Sequence, residues 1–197
     1  MVIEQQASSS AVVRRAMIDS QLRVSGVNDP AVLAAMDEVA REDFVPAERR
    51  SVAYADRAIP LGGGRVLAPA LTHGQMLVEA QVSPDDKVLI VSGGSGYLEA
   101  VVRRLCPQVT VVDAGAVKSA KGGPFSLVLV DGAVEQVPAE LAKQLDDAGR
   151  MVTGLVESGV TRLATGRKIG GSVALFALAE ADFAPLPEFA APRKWSF

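Results

Sequence analysis

Residues 87–106 read KVLIVSGGSGYLEAVVRRLC, and this stretch decides the fold. Its first five residues form a short apolar run rich in valine, which predicts a strand buried on both faces. The glycine-rich residues 92–96 interrupt the pattern, and from Leu98 to Leu105 apolar residues recur with the period of an amphipathic helix. The stretch therefore predicts a strand, a glycine loop and a helix, an arrangement that binds nucleotides and nucleosides through backbone N–H groups.

Strands and helices alternate on both sides of this unit. Residues 8–24 and 29–40 have helical periodicity, and Thr72 is a candidate cap for a short helix. A further helix is predicted from Pro138 to Gly149. Apolar runs predict strands at residues 109–112, 125–130 and 150–156 and a closing hairpin at residues 161–164 and 172–178. This alternation predicts an α/β, doubly wound sheet with its ligand outside the carboxyl ends of the strands.

The composition narrows the class of protein. The chain has 197 residues, of which 49% are hydrophobic and 22% charged, as expected for one globular unit. No apolar run approaches the ~20 residues needed to cross a bilayer. The net charge of −3 gives no sign of a nucleic-acid partner. The opening residues MVIEQQASSS lack a basic region followed by an apolar one, which favours a cytoplasmic protein over a secreted one.

Single copies of two reactive residue types limit the chemistry. Cys106 is the only cysteine and His73 the only histidine, so an internal disulfide, a cysteine-cluster metal site and a Ser-His-Asp triad are all disfavoured. No metal site is predicted.

Carboxylates end two of the predicted strands. Asp113 follows the second strand, ~20 residues beyond the glycine loop, where an acid accepts hydrogen bonds from ribose hydroxyls; a simple turn residue is the alternative. Asp131 ends the next strand. The candidate cofactor-binding residues are Ser92, Gly93, Gly94, Ser95, Gly96, Asp113 and Asp131.

Four motifs, in this order, resemble those of the protein-L-isoaspartate O-methyltransferases. They are RRAMIDSQLRVSGVNDPAVLAAMDEVAREDFVP (residues 14–46), AYADRAIPLGGG (53–64), KVLIVSGGSGY (87–97) and VPAELAKQLDDAGRMV (137–152). The resemblance implies an N-terminal helical region with a substrate-loop lead-in over residues 1–64 and a Rossmann-like methyltransferase domain over residues 65–197. It also implies S-adenosylmethionine as cofactor and, as partner, a protein or peptide with isoaspartyl residues, whose carboxyl groups the family methylates in protein repair.

Departures from the family pattern fall on the expected site. Leu67 stands where the family's Thr-Ile-Ser-x-Pro loop has its serine, so no catalytic residue is assigned, and Thr72 is the weak substitute. Ile90 replaces the family's strand-end acid, a partner for the cofactor's ammonium. Ser92 replaces the first glycine of Gly-x-Gly-x-Gly, with an expected cost on the order of 1 kcal/mol if that position needs a positive φ.

The third departure is a deletion after Asp113, where the family has a helix and a strand and this chain has only residues 114–124. Eleven residues still reach the next parallel strand, so residues 109–112 are expected at the edge of the sheet. The cleft beyond Gly94 is expected to be partly filled by Leu67 or by residues 114–124.

Three hypotheses follow. The first is a methyltransferase acting on isoaspartyl carboxyl groups, with its cofactor and substrate sites degraded. The second is a non-catalytic binding or regulatory protein on the same fold. The third is a nicotinamide-dinucleotide binder, although Glu99 stands where its third glycine belongs. The tail, residues 183–197, is expected to lie over an apolar face of its own domain rather than to bind a partner.

Overall fold

The chain begins with helices. The computed structural model describes the backbone of residues 2–192 and the side chains of residues 10–192. Helix α1 spans Val2–Met17 and continues into a π-helical turn, Ile18–Leu22. Helix α2 spans Pro30–Glu38, and the Asp29 carboxylate accepts hydrogen bonds from the first backbone N–H groups of this helix at 2.9 and 3.0 Å. Both helices predicted for this region are confirmed.

A short hairpin leads into the next helix. Strands β1 (Ile59–Gly62) and β2 (Arg65–Leu67) pair antiparallel, and α3 spans Ala70–Ala80. The predicted cap at Thr72 is wrong. The helix begins two residues earlier, directly after Pro69, and Thr72 lies buried within it. β2 ends at Leu67, and Pro69 occupies the capping position before Ala70, so Thr72 lies inside the first turn.

A six-stranded sheet forms the centre of the molecule, in the order β4-β3-β5-β6-β7-β8. The first four strands in this order are parallel, and the β6-β7 and β7-β8 pairs are antiparallel. The α/β fold is confirmed, as is the edge position of β4 that the deletion predicted. The elements are β3 (Lys87–Ser92), α4 (Tyr97–Leu105), β4 (Gln108–Asp113), β5 (Phe125–Val134), α5 (Ala139–Ala142), β6 (Leu145–Glu157), β7 (Val160–Ile169) and β8 (Ser172–Glu180).

Helix α5 is much shorter than the sequence predicted. It makes a single turn, and Leu145, predicted on the helix, belongs to β6 and pairs with Phe125 of β5. The long helix predicted here is therefore wrong, because pairing with the start of β5 draws this segment into the sheet.

The two faces of the sheet carry different layers. Val88 and Ile90 of β3 point into a large core that also contains side chains of α1 to α4. Leu89 and Val91 point the other way, into a smaller core covered by α5 and two 3₁₀ helices, Ala114–Ser119 and Pro187–Phe189. The alternation along β3 is what a strand buried on both faces requires.

The tail packs on its own domain over residues 183–192. Phe183 and Phe189 are buried, Pro185 forms a bridge with Ala133 at the end of β5, and Leu186 donates a backbone hydrogen bond to Ala133 at 2.8 Å. The expectation that this segment covers an apolar face is confirmed for these residues. Its last part, with Trp195, lies outside the described residues.

A partly buried ion pair joins the residue before β3 to β6. Arg150 donates to both carboxylate oxygens of Asp86, at 3.0 and 2.6 Å, and the Ser126 hydroxyl donates to one of them at 2.6 Å. Burial works to raise the pKa of Asp86, but the hydrogen bonds from Arg150 and Ser126 outweigh it and hold the pKa below its ordinary value.

Candidate functional site

A cavity of about 410 Å³ opens at the carboxyl ends of β3, β4 and β5. Three segments line it: the glycine loop (residues 92–94), the turn and second strand of the β1-β2 hairpin (63–66, with Ala68) and the tail (183–188). Asp113, Ala114, Asp131 and Gly132 complete the wall. The cavity lies where a parallel α/β sheet places its ligand.

Ser92 ends β3 without backbone strain. It is not among the residues with positive φ, and its hydroxyl accepts a hydrogen bond from the Gly94 N–H at 3.0 Å. The positive φ values belong to Gly94 (+91°) and Gly96 (+75°), where glycine is the residue that adopts them most easily. The strain considered for Ser92 is therefore not incurred, and its side chain stabilises the loop.

Gly93 lies against the end of the neighbouring strand. A Cβ atom at this position would lie 2.1 Å from the main-chain oxygen of Asp131 and 3.2 Å from its carboxyl carbon. The next glycine contacts a different residue, since a Cβ atom at Gly94 would lie 2.3 Å from Cδ of Arg65. The absence of side chains at these two positions thus lets the loop pass between Asp131 and Arg65.

The carboxylate of Asp131 is hydrogen-bonded on the protein side of the cavity. Its Oδ1 lies 2.8 Å from Nε2 of the fully buried His73, and its Oδ2 lies 3.4 Å from the Ser95 hydroxyl. The side chains of His73 and Asp131 therefore share a short polar contact next to the cavity. This pairing fixes the Asp131 side chain at the cavity wall.

Arg41 connects the N-terminal region to the cavity wall through buried hydrogen bonds. Its side chain is fully buried, donates to the main-chain oxygens of Ala53 and Ala68 at 2.9 and 2.8 Å, and lies 4.7 Å from the ring centre of Tyr97. Burial lowers the pKa of Arg41 and raises the pKa of Tyr97. Because Ala68 lines the cavity and Tyr97 begins α4, this arginine connects the segment after β2 with the helix that follows the glycine loop.

The tail and a 3₁₀ helix occupy the side from which the family's helix and strand are missing. The 3₁₀ helix Ala114–Ser119 contacts the tail's Pro187–Phe189 helix, and Val117 and Phe189 share the smaller core. Residues 185–188 then form the cavity wall that faces Ala114. The shortened crossing therefore leaves the cavity open, with a wall built from the C-terminal segment.

The structure brings together most of the predicted cofactor-binding residues. Ser92, Gly93, Gly94, Asp113 and Asp131 line the cavity, whereas Ser95 and Gly96 do not. Two residues assigned to the substrate side lie elsewhere: Leu67 is buried in the larger core, and the hydroxyl of Thr72 lies 3.5 Å from the main-chain oxygen of Asp182.

The expectation that Leu67 fills the cleft is wrong, because its side chain is fully buried in the larger core, whereas its neighbours Arg65, Val66 and Ala68 line the cavity. Of residues 114–124, Ala114 alone lines it.

Arg65 and residues 183–188 were not identified from the sequence. The one available signal for Arg65 was a cation directly after three glycines; the tail has no regular periodicity and gave none. Among the described residues, no group of three or more His, Cys, Asp or Glu side chains is placed to hold a metal ion. No helix in the described part of the chain is long and apolar enough to cross a membrane.

Comparison with known proteins gives consistent matches. A family model for protein-L-isoaspartate(D-aspartate) O-methyltransferase matches residues 13–121 and 107–190. The protein-L-isoaspartate O-methyltransferases of Roseiflexus castenholzii and Koribacter versatilis are each 33% identical to this chain, over 88% and 89% of it and 91% of each relative.

Two solved structures share the fold. One, from Plasmodium falciparum, is described as a protein-L-isoaspartate O-methyltransferase in complex with S-adenosyl-L-homocysteine. It has a TM-score of 0.71 at 15% identity and covers 89% of this chain and 98% of its own. The other, a protein-L-isoaspartate O-methyltransferase, has a TM-score of 0.74 at 18% identity and covers 90% of this chain and 67% of its own.

Proposed function

The chain belongs to the protein-L-isoaspartate O-methyltransferase family, and from that premise we propose that it transfers a methyl group from S-adenosylmethionine to isoaspartyl carboxyl groups of damaged proteins. The observation that carries this proposal is the open cavity between the glycine loop and Asp113. Its volume of about 410 Å³ lies in the range of roughly 300–1,000 Å³ typical of small-molecule sites.

The residues around the cavity fit the cofactor. Gly93 and Gly94 line the cavity at the start of the segment that leads into α4, whose first residue is Tyr97, and backbone N–H groups at such a position hydrogen-bond to ligands. Asp113 ends β4, is exposed and lines the cavity, as a residue that accepts hydrogen bonds from ribose hydroxyls should. These observations support cofactor-binding roles for the loop and for Asp113.

The chemistry asks little of the protein's titratable groups. When bound, S-adenosylmethionine supplies an electrophilic methyl group on a sulfonium sulfur. A carboxylate acceptor has no proton to lose, so the residues of this chain need to align the two reactants and exclude water rather than act as an acid or base. The buried position of His73 behind Asp131 is consistent with a structural role.

The replacement of the family's serine by Leu67 affects the acceptor. The Leu67 side chain lies in the core, so the acceptor carboxyl group meets Val66, Ala68 and backbone groups on this side of the cavity. A missing hydrogen bond to a polar group is worth about 1–3 kcal/mol. We therefore expect weaker acceptor binding or slower transfer than in a relative with the serine.

Methylation of a defined peptide tests the proposal. The purified protein is incubated with S-adenosylmethionine and a short peptide that contains one isoaspartyl residue, and the matched control is the same peptide with a normal aspartyl residue. The proposal predicts the mass of one added methyl group on the isoaspartyl peptide, with equimolar S-adenosylhomocysteine.

Binding of S-adenosylhomocysteine without methylation of either peptide would contradict catalysis and favour the non-catalytic alternative. Equal methylation of both peptides would contradict the proposed substrate. The cytoplasmic location predicted from the sequence stays a prediction.

A further inference from the structure

Two residues of opposite charge flank the glycine loop inside the cavity. Gly93 contacts Asp131 and Gly94 contacts Arg65, and both charged residues line the cavity wall. We propose that Arg65 and Asp131 together bind the zwitterionic amino-acid end of the methyl donor, Arg65 its carboxylate and Asp131 its ammonium group. This inference rests on the proposed function, since it assigns one end of the donor's site.

Arg65 is available for a carboxylate ligand. Of the residues that line the cavity it alone is basic, and its guanidinium makes no hydrogen bond or ion pair with residues 10–192 at the distances that define them. Its stem rests on Gly94, which directs the side chain across the loop. A guanidinium offers two parallel N–H groups, which match the two oxygens of a carboxylate.

Asp131 supplies the matching negative charge. In the sheet register Val91 pairs with Val130, so Asp131 lies beside Ser92, at the first residue of the loop. Its side chain is 8% exposed, with His73 and Ser95 on the protein side and the cavity on the other. Two contacts leave further acceptor capacity on the carboxylate, and limited solvent access strengthens its attraction for a cation.

The position of Asp131 compensates for the acid that this chain lacks at Ile90. Ile90 lies on β3 and pairs with Leu129 of β5, and Asp131 follows two residues later along β5. The negative charge has therefore moved from one strand to its neighbour while staying at the same end of the sheet. Arg65 likewise stands in the altered Thr-Ile-Ser-x-Pro loop, at the position of its threonine.

The direction of the donor follows from Asp113. If this residue accepts the ribose hydroxyls at the end of β4, the nucleobase lies towards Ala114 and the tail, and the other end of the donor extends over Gly93 and Gly94. An acceptor peptide also carries a carboxylate that Arg65 could bind. The contact between Arg65 and Gly94 places the guanidinium stem at the loop, which favours the donor.

Calorimetric titration with two ligands tests this assignment. S-adenosylhomocysteine carries the amino-acid end, and 5′-methylthioadenosine shares its nucleoside but lacks that end. In Arg65→Gln we expect the affinity for S-adenosylhomocysteine to fall by about tenfold to a hundredfold, the effect of one or two charge-assisted hydrogen bonds. The affinity for 5′-methylthioadenosine should stay the same. The matched control is Arg57→Gln, because Arg57 is also exposed but lies away from the cavity.

Each other outcome has a definite meaning. Wild-type affinity of Arg65→Gln for S-adenosylhomocysteine would overturn the inference, as would an equal loss for both ligands. If that variant instead keeps its affinity for S-adenosylhomocysteine and shows a raised KM for the isoaspartyl peptide, Arg65 binds the acceptor and the donor assignment is overturned. If the wild-type protein binds neither ligand, the proposed function itself fails.

Discussion

A single methyl group at Gly93 is expected to displace the glycine loop. In Gly93→Ala the new Cβ atom would lie 2.1 Å from the main-chain oxygen of Asp131, roughly 1 Å or more inside van der Waals contact. That oxygen belongs to β5, which lies between β3 and β6 in the sheet, so we expect the loop to move more than the strand. We expect the free energy of unfolding to fall by about 1–3 kcal/mol, the usual cost of overpacking.

The displaced loop should also bind the donor less well. Moving its N–H groups away from the ligand is expected to lower the affinity for S-adenosylhomocysteine by about tenfold, or 1.4 kcal/mol. The control is Gly115→Ala, where no atom lies within 4 Å of the new Cβ and φ is not positive. Its stability should change by less than about 0.5 kcal/mol. Urea unfolding followed by circular dichroism measures the stability, and calorimetry measures the affinity. A Gly93→Ala protein with the same stability and the same affinity as Gly115→Ala would refute the reasoning.

Three further predictions concern single side chains. Leu67→Ser should lower the free energy of unfolding by about 3–5 kcal/mol, because it empties a fully buried site and leaves a hydroxyl in the core; a stable variant in urea titration would contradict the placement of Leu67. Asp113→Ala should lower the affinity for S-adenosylhomocysteine by about tenfold. Its melting temperature should stay the same, because Asp113 is exposed. An unchanged affinity in calorimetry would contradict the ribose role of Asp113.

The third prediction concerns stability at acid pH. Folding lowers the pKa of Asp86 below its ordinary value of 3.8. The ion pair therefore stabilises the folded protein at pH values above 3.8, and this stabilisation is lost as the pH falls from 3.8 through the lower pKa of the folded state. Asp86→Asn should therefore be less stable at pH 7 and lose less on acidification, as urea midpoints between neutral and acid pH measure. If the urea midpoint of Asp86→Asn falls as steeply on acidification as that of the wild type, the stabilising role of the Asp86 ion pair is contradicted.

The parts of the fold that depend on local pattern could be predicted from the sequence. The apolar run of β3, the glycines after it and the helical period of α4 define their elements without reference to distant residues. The edge position of β4 followed from chain length, since residues 114–124 are too few for another helix and strand. The predicted end of the helix at Gly149 was wrong because pairing between Leu145 and Phe125 is a tertiary contact that overrides local periodicity.

The site depended more on contacts between distant segments. Ser92, Gly93, Gly94, Asp113 and Asp131 were identified because they follow the ends of strands, where ligands of such sheets bind. The contact between His73 and Asp131 joins residues 58 positions apart and depends on how α3 packs against the sheet. The position of Arg65 over Gly94 likewise depends on the fold of the β1-β2 hairpin.

The tail wall shows the same limit. Residues 183–188 have neither helical nor strand periodicity, and their place beside Ala114 results from burial of Phe183 and Phe189 in two different cores. The sequence shows that a helix and a strand are missing after Asp113, but it does not indicate which segment lines the space that they leave. Only the packing of Phe183 and Phe189 in the folded protein determines which segment lies there.

A crystal structure of the protein with S-adenosylhomocysteine tests the central claim most directly. The account predicts electron density for the whole ligand in the cavity between the glycine loop and the tail. The ribose should lie at Asp113 and the amino-acid end between Arg65 and Asp131. A cavity without ligand at saturating concentration, or a ligand bound elsewhere on the protein, would contradict the claim that this chain kept a working donor site.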